Sequence, residues 1–178
     1  MKLRKWNKLN ERTVFSNKYW KYKLDNFEIE SGPKGEYHYV HSPGSTMVVP
    51  FVNESTLLIT NQYRYLNQKE SLEFPCGAIE EGFSAQENAH KEFREETGKD
   101  GKLKFIGEFS PYSGVSNEIC SVYLATELFD NPLESDETEE FEILEISVNN
   151  FEKLIRDNTI WDGLTLASWV LAKNYLDL

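Results

Sequence analysis

A turn bounded by two glycines and followed by a well-capped helix constrains the fold of this chain most. Ser84 is a residue type that caps helix N-termini, and Glu87, three positions later, completes a capping box. Helix-favouring residues follow, and Gly98 is the residue type that ends helices in a left-handed conformation. Because Gly77 and Gly82 lie at the two ends of the preceding turn, the sequence predicts a strand, a tight loop and a helix in succession.

Three carboxylates lie on one side of this predicted helix. Glu92 and Glu96 are four residues apart, and Glu95 follows Glu92 by three. Like charges at these spacings destabilise a helix by about 0.2–0.5 kcal/mol per pair, and Lys91 and Arg94 relieve only part of that cost. A divalent cation would relieve it, because Mg²⁺ prefers carboxylate oxygens. The residues alone leave two interpretations open, a metal site and an acidic, solvated helix face.

The order of the remaining elements predicts a layered α+β domain. Aromatic and β-branched runs separated by Gly, Pro and Asn turns predict strands at 13–16, 19–30, 36–41, 45–51, 56–64, 103–109, 119–126 and 141–148. The polar segment 129–140 is predicted to be a loop, and helices are predicted at 151–157 and 163–176. This order differs from a regular βαβ repeat, and the 178 residues suit one domain.

The glycine turn and its helix resemble the Nudix box. That box reads Gly, five residues, Glu, seven residues, Arg-Glu, an apolar residue, any residue, Glu-Glu, any residue, Gly and an apolar residue. Six of its nine defined positions match over 23 residues: Gly77, Glu92, Phe93, Glu95, Glu96 and Gly98. The resemblance implies a Nudix-type α/β/α sandwich with a mixed β-sheet and an N-terminal antiparallel sheet. It also implies that Glu92, Glu95 and Glu96 bind Mg²⁺, with Mn²⁺ as an alternative.

Three positions depart from the box. Phe83 replaces its first Glu, Lys91 its Arg, and Lys99 its final apolar residue. In the family, that Glu and Arg pair and brace the loop against the helix. Losing both partners leaves no charge unpaired, so Phe83 is expected to brace the loop by packing. The metal ligands stay intact, and the changed brace leaves three alternatives open: full activity, reduced activity and an altered substrate.

Segments outside the box are similar to the ADP-ribose (ADP-sugar) pyrophosphatase branch of the family. Residues 61–64 with 73–77 resemble its QYR and E-hydrophobic-P-x-G signatures. Residues 111–114 with Glu118 resemble its P-S-P-G-x-x-x-E stretch, in which Ser113 here replaces a proline. The resemblance covers nearly the whole chain.

This resemblance also implies individual roles. Arg64 and Glu118 are expected to bind substrate, although a surface ion pair is an equal alternative for Arg64. The backbone carbonyl of Cys76 is expected to add a metal ligand, whereas its side chain is interpreted as a small buried group. A general base is expected from the acidic loop before the last strand, with Glu137 as first choice and Glu139 as second. A solvated loop acid remains the alternative for each of these two, and Glu118 is another candidate proton acceptor.

Composition limits the partners and the location. The net charge of −11 disfavours nucleic acid, although residues 1–24 carry eight Lys or Arg and one acid. No apolar run is long enough to span a bilayer, and two cysteines form no disulfide framework, so a cytoplasmic location is predicted. A single domain is expected, with strands in 1–50 and a catalytic core in 51–178. In the resembling branch the leading sheet forms a homodimer interface, so a homodimer is expected.

The predicted function is metal-dependent hydrolysis of a nucleoside diphosphate sugar to a nucleoside monophosphate and a sugar phosphate. The resemblance implies attack of a metal-activated water on a phosphorus of the pyrophosphate. An ADP-ribose-like compound is the first expected substrate. The alternatives are GDP-mannose or another nucleotide sugar, and a catalytically weak Nudix domain that binds a nucleotide as a sensor.

Overall fold

A computed structural model describes residues 3–135 and 138–175. The chain divides into two compact units. The first runs to Pro43 and includes Tyr112–Glu118, and the second comprises Gly44–Pro111 and the chain from Ile119 onward. Within the described ranges, none of the helices has the length and apolar character needed to cross a membrane.

The first unit contains a three-stranded antiparallel sheet. Its strands, in sheet order, are β1 (Trp6–Ser16), β2 (Lys21–Ile29) and β3 (Lys34–His41). The later segment Tyr112–Glu118 meets β3, where the Val40 N–H donates to the Val115 carbonyl at 2.8 Å. The predicted N-terminal antiparallel sheet is therefore confirmed.

β1 starts well before its predicted start at Thr13. The first half of the strand shows no apolar alternation in the sequence, because every residue of the strand is exposed and neither face has to be apolar. The strand is held instead by pairing with β2, in which Trp6 lies opposite Ile29, and by the Trp6 ring stacked on Phe27 with centroids 4.4 Å apart. Cross-strand pairs of this kind stabilise a sheet without a buried face.

The second unit contains a seven-stranded mixed sheet and three helices. Its elements are β4 (Ser45–Asn53), β5 (Thr56–Arg64), β6 (Lys69–Glu73), β7 (Cys76–Ala78), α1 (Ala85–Thr97), β8 (Lys99–Phe109), β9 (Cys120–Asp130), β10 (Glu142–Ser147), α2 (Val148–Arg156) and α3 (Gly163–Lys173). The order is β10-β5-β4-β9-β8, with β6 paired to β5 and β7 paired to β4. β4 and β9 run parallel, and the other pairs are antiparallel.

Side chains alternate across the sheet and bury an apolar layer on each face. Met47 and Val49 of β4 point to one face, where they join Phe151 of α2 and Trp169 of α3. Val48 points to the other face, where the buried residues of α1 cover it. The sheet therefore lies between α1 on one side and α2 and α3 on the other, which confirms the predicted α/β/α sandwich.

Two short strands, β6 and β7, were not predicted. β6 is the polar five-residue segment Lys69–Glu73, and β7 spans only Cys76–Ala78, so neither shows a period long enough to detect. Both are formed by pairing with a neighbour: Glu73 lies opposite Thr60, and the β7 residues lie opposite β4. They matter for function because they carry Glu73 and Cys76 to the N-terminal side of the glycine turn.

Candidate active site

Helix α1 begins and ends where the sequence predicts. The Ser84 Oγ accepts from the Glu87 N–H at 3.3 Å, and the Glu87 carboxylate accepts from the Ser84 N–H at 2.9 Å. At the other end, Gly98 has φ of 69° and its N–H donates to the Arg94 carbonyl at 3.0 Å. These caps fix where the helix begins and ends, so the carboxylates of Glu92, Glu95 and Glu96 lie in its second half.

Glu96 is the most buried of the three carboxylates. Only 6% of the residue is exposed, and its Oε1 accepts from the Cys76 N–H at 3.2 Å. Its Oε2 is buried and has no hydrogen-bond partner among the described residues. Burial raises the pKa of Glu96 well above its ordinary value. A buried carboxylate oxygen without a donor is costly, and a cation at that oxygen would remove the cost.

Glu92 lies against the backbone of Gly77. A Cβ at Gly77 would come within 2.0 Å of the Glu92 carboxyl carbon, so a side chain there would displace the carboxylate. Burial raises the pKa of Glu92 to about 7, Lys91 opposes the shift, and the charges of Glu95 and Glu139 add to it. Glycine is therefore needed at this position for the close approach of the carboxylate and not for a left-handed conformation.

Glu95 is placed differently from the other two acids. Its carboxylate accepts from the Lys91 ammonium at 2.5 Å, across one helical turn. Across residues 3–135 and 138–175, no group of three His, Cys, Asp or Glu side chains stands close enough together to hold a metal ion. Glu96 contacts Cys76, and Glu92 lies against Gly77. Glu95 points to Lys91 instead, so it could bind the same metal ion only after leaving Lys91.

The residues fit a divalent cation in their chemistry. Glu96 has a buried oxygen without a partner among the described residues, and the charge of Glu92 contributes to the raised pKa of Glu96. Carboxylate oxygens are the ligands that hard divalent cations prefer. Ionising both acids in a half-buried site requires positive charge nearby, which a divalent cation supplies.

The sequence led us to expect that Phe83 braces the loop before α1, and the structure differs. Phe83 is 42% exposed and does not pack into the core. Lys91 instead reaches Glu80, three residues earlier in the loop, with 3.1 Å between its Nζ and Glu80 Oε1. The expectation that Phe83 replaces the missing ion pair by packing was wrong, because an ion pair at another position of the loop takes its place.

Arg64 is paired with a buried acid. Its Nε donates to Glu73 Oε1 at 2.8 Å, its Nη2 donates to Oε2 of the same carboxylate, and Glu73 is 1% exposed. This hydrogen bonding raises the pKa of Arg64 above its ordinary value. The Arg64 side chain is 40% exposed, so its guanidinium is held by Glu73 while part of the side chain stays open to solvent. The alternative of an ordinary surface ion pair does not describe this contact, because the partner carboxylate is buried.

The other sequence-predicted residues fall in three places. Glu139 is exposed, and its charge raises the pKa of both Glu92 and Glu96, so it acts electrostatically on the α1 carboxylates. Glu137 lies outside the described residues. Glu118 belongs to the first unit, where its N–H donates to Ser116 Oγ at 3.1 Å.

Sequence reasoning missed Asn88. This residue is fully buried in α1, its Nδ2 donates to Thr46 Oγ1 at 3.1 Å, and its Oδ1 accepts from the Glu80 N–H at 3.1 Å. The available signal was its position one helical turn before Glu92, on the side of the helix that carries the acids. A polar residue at that spacing, next to the buried Ala89, has a polar task inside the fold.

Comparisons with known proteins place the chain in a family. The NUDIX domain family matches residues 41–165. The chain is 29% identical to a methanol dehydrogenase activator of Bacillus methanolicus, over 93% of this chain and 89% of that protein. It is also 29% identical to an ADP-ribose pyrophosphatase of Bacillus subtilis (strain 168), over 88% of this chain and 89% of that protein.

A solved structure shares the fold. The crystal structure of an ADP compounds hydrolase superposes with a TM-score of 0.86 and 23% sequence identity, and the match covers 99% of this chain and 97% of that one. At this identity the likeness concerns the fold, including the mixed sheet and the separate antiparallel sheet.

Proposed function

Because the chain belongs to the NUDIX family, we propose that it hydrolyses the pyrophosphate bond of a nucleoside diphosphate sugar. The proposed products are a nucleoside monophosphate and a sugar phosphate. One observation carries the proposal: Glu92 and Glu96 converge on Cys76 and Gly77 of β7, and Glu96 offers a buried oxygen without a partner among the described residues.

In this proposal Mg²⁺ is held by Glu92, Glu95, Glu96 and the Cys76 carbonyl. When bound, divalent metal ions neutralise the phosphate charge and lower the pKa of an attacking water. Nudix hydrolases generally use divalent metals, and the oxygen-rich set of ligands favours Mg²⁺, with Mn²⁺ as a substitute. Glu95 would complete this set if its carboxylate were released from Lys91.

Protein groups position the substrate and remove the proton. Arg64 is held by Glu73 on one side, so its open side is preorganised to bind a phosphate oxygen. The attacking water needs a proton acceptor, and the α1 acids are committed to metal. The electrostatic influence of Glu139 on Glu92 and Glu96 supports an acceptor from its loop, and Glu137 of the same loop remains the first choice.

An ADP-ribose-like compound is the proposed substrate. The ADP-ribose pyrophosphatase of Bacillus subtilis aligns with most of this chain, and the Arg64 and Glu73–Gly77 signatures lie in its aligned span. GDP-mannose and other nucleotide sugars are the competing substrates. Placement in the cytoplasm and absence of a nucleic acid partner belong to the same proposal and rest on composition.

A nucleotide sensor without turnover is the competing class of function. The motive for it was the loss of the family brace at Phe83 and Lys91. Because Lys91 pairs with Glu80, the loop keeps an ion pair to the helix, and this observation favours hydrolysis.

A substrate panel separates these functions. The protein is incubated with Mg²⁺ and ADP-ribose, GDP-mannose and other nucleotide sugars, and products are separated by chromatography. Turnover that is fastest with ADP-ribose supports the proposal, and turnover of another sugar corrects the substrate. Tight nucleotide binding without products would establish the sensor instead. In that case Glu96→Gln should bind the nucleotide as tightly as the unmodified protein and should likewise form no products.

A further inference from the structure

We propose that Asn88 is a positioning residue that, together with Lys91, fastens the glycine loop to α1 at Glu80 and so sets the Glu92 carboxylate for metal binding. The proposal rests on the proposed metal-dependent function. It assigns to Glu80 the loop-bracing task that the family pattern assigns to the position of Phe83.

Asn88 connects three parts of the second unit. Its Oδ1 accepts from the Glu80 N–H in the loop at 3.1 Å, and its Nδ2 donates to Thr46 Oγ1 in β4 at 3.1 Å. The same Nδ2 lies 3.5 Å from Glu92 Oε1, at the limit of a hydrogen bond. Because Asn88 and Thr46 are both fully buried, water cannot replace these contacts. The amide therefore ties the loop and the Glu92 side chain to the sheet.

Lys91 supplies a second hold on the same loop residue. Its Nζ lies 3.1 Å from Glu80 Oε1, and the Glu80 carboxylate is about half exposed. A partly exposed ion pair stabilises little by itself, whereas loss of a buried amide leaves the Glu80 N–H and Thr46 without their partner. The contact of Asn88 with the loop is thus expected to stabilise the loop position more than the contact of Lys91 does, and Lys91 adds to it.

The position of the loop decides where Glu92 can lie. Gly77 lies in β7 and Glu80 lies in the loop that follows, three residues later, and the Glu92 carboxylate fills the space over Gly77. If the loop moves away from α1, this carboxylate loses both the Gly77 surface and the Asn88 amide. Residues that orient metal ligands in this way change metal affinity by about 10- to 100-fold when they are removed.

The experiment measures Mn²⁺ affinity by electron paramagnetic resonance, without substrate, on protein shown to be folded by thermal melting. Asn88→Ala is compared with the unmodified protein and with Ser168→Ala. Ser168 is equally buried and donates to Met47 Sδ at 2.9 Å on the opposite face of the sheet. We expect Asn88→Ala to weaken Mn²⁺ binding by about tenfold or more. Ser168→Ala should bind Mn²⁺ like the unmodified protein.

A second pair of variants tests the loop residue itself and covers the case in which Asn88→Ala fails to fold. Glu80→Gln removes the Lys91 contact, and Glu81→Gln makes the same charge change at the neighbouring exposed position. Glu80→Gln should weaken Mn²⁺ binding about two- to fivefold more than Glu81→Gln, the effect of a partly exposed ion pair.

The outcomes are distinct. If the unmodified protein binds Mn²⁺ and Asn88→Ala binds it within twofold of the same affinity, the positioning role is wrong and the metal site stands. If Asn88→Ala is unfolded and Glu80→Gln equals Glu81→Gln, the role is likewise wrong. If the unmodified protein binds no Mn²⁺, both the metal site of the proposed function and the positioning role are overturned.

Discussion

Replacing Gly77 by alanine would put a methyl group where the Glu92 carboxylate lies. The new Cβ would be 2.0 Å from the carboxyl carbon and 2.3 Å from each carboxylate oxygen, whereas ordinary van der Waals contact begins at 3.4 Å. The carboxylate must therefore retreat by about 1.4 Å. Since Glu92 is a flexible side chain, it can retreat without a large shift of the backbone.

Stability and activity should therefore separate in Gly77→Ala. The stability change is expected to stay within about 1 kcal/mol, because restriction of the unfolded chain by alanine offsets part of the steric cost. A metal ligand tolerates far less displacement, since its distances are fixed within about 0.2 Å. A misplacement of about 1 Å at a reacting centre can lower the rate by about 10²-fold. We expect kcat/KM to fall by about that factor.

The assay compares kcat/KM for ADP-ribose and the Tm of Gly77→Ala with those of Gly163→Ala. Gly163 lies at the start of α3 and has open space where its Cβ would be, so it controls for the glycine-to-alanine change itself. Gly163→Ala should retain the full kcat/KM. Undiminished kcat/KM in a folded Gly77→Ala would refute the assignment of Glu92 as a metal ligand placed by the glycine turn.

Four further predictions follow from the same site. Glu96→Gln should abolish most turnover and raise the Tm of the metal-free protein, because it removes an acid whose charged form is costly to bury; turnover near that of the unmodified protein would argue against the site. Glu137→Gln should lower kcat by about 10²–10⁴-fold with little change in metal affinity; if only Glu139→Gln has this effect, Glu139 is the base, and if neither does, the base lies elsewhere. The folded-state pKa values of Glu92 and Glu96 lie above their ordinary value of 4.5, so the protonated acids are favoured on folding and stability is lost as pH rises through those values. The Tm of chelator-treated protein should therefore fall between about pH 5 and pH 8, and a flat profile would contradict the burial of these charges. Light scattering at micromolar concentration should give a homodimer whose interface uses residues before Pro50, and a monomer would count against it.

Much of the second unit could be predicted from the sequence, because its signals are local. The caps of α1 are side-chain bonds between Ser84 and Glu87 and a left-handed Gly98, all within one short segment. The β-branched and apolar run of β4 and the spacing of the three acids are local as well. The Nudix resemblance and its sandwich fold rest on this segment, and the family match and the shared fold confirm them.

The parts that could not be predicted depend on contacts between distant segments. β6 and β7 are short segments that become strands by pairing with β5 and β4. The loop brace moved to Glu80 because Lys91 can reach that residue, whereas the departure at Phe83 alone suggested packing. The role proposed for Asn88 depends on its hydrogen bond to Thr46, which lies far away in the chain. None of these contacts can be predicted from the spacing of residues along the sequence.

The central claim is hydrolysis at a phosphorus of the pyrophosphate. The most direct measurement is mass spectrometry of the products formed from ADP-ribose and Mg²⁺ in ¹⁸O-labelled water. The account predicts AMP and ribose 5-phosphate, with one ¹⁸O on the phosphate of one of them. ADP and free ribose, or no products from a protein that binds the metal, would contradict it.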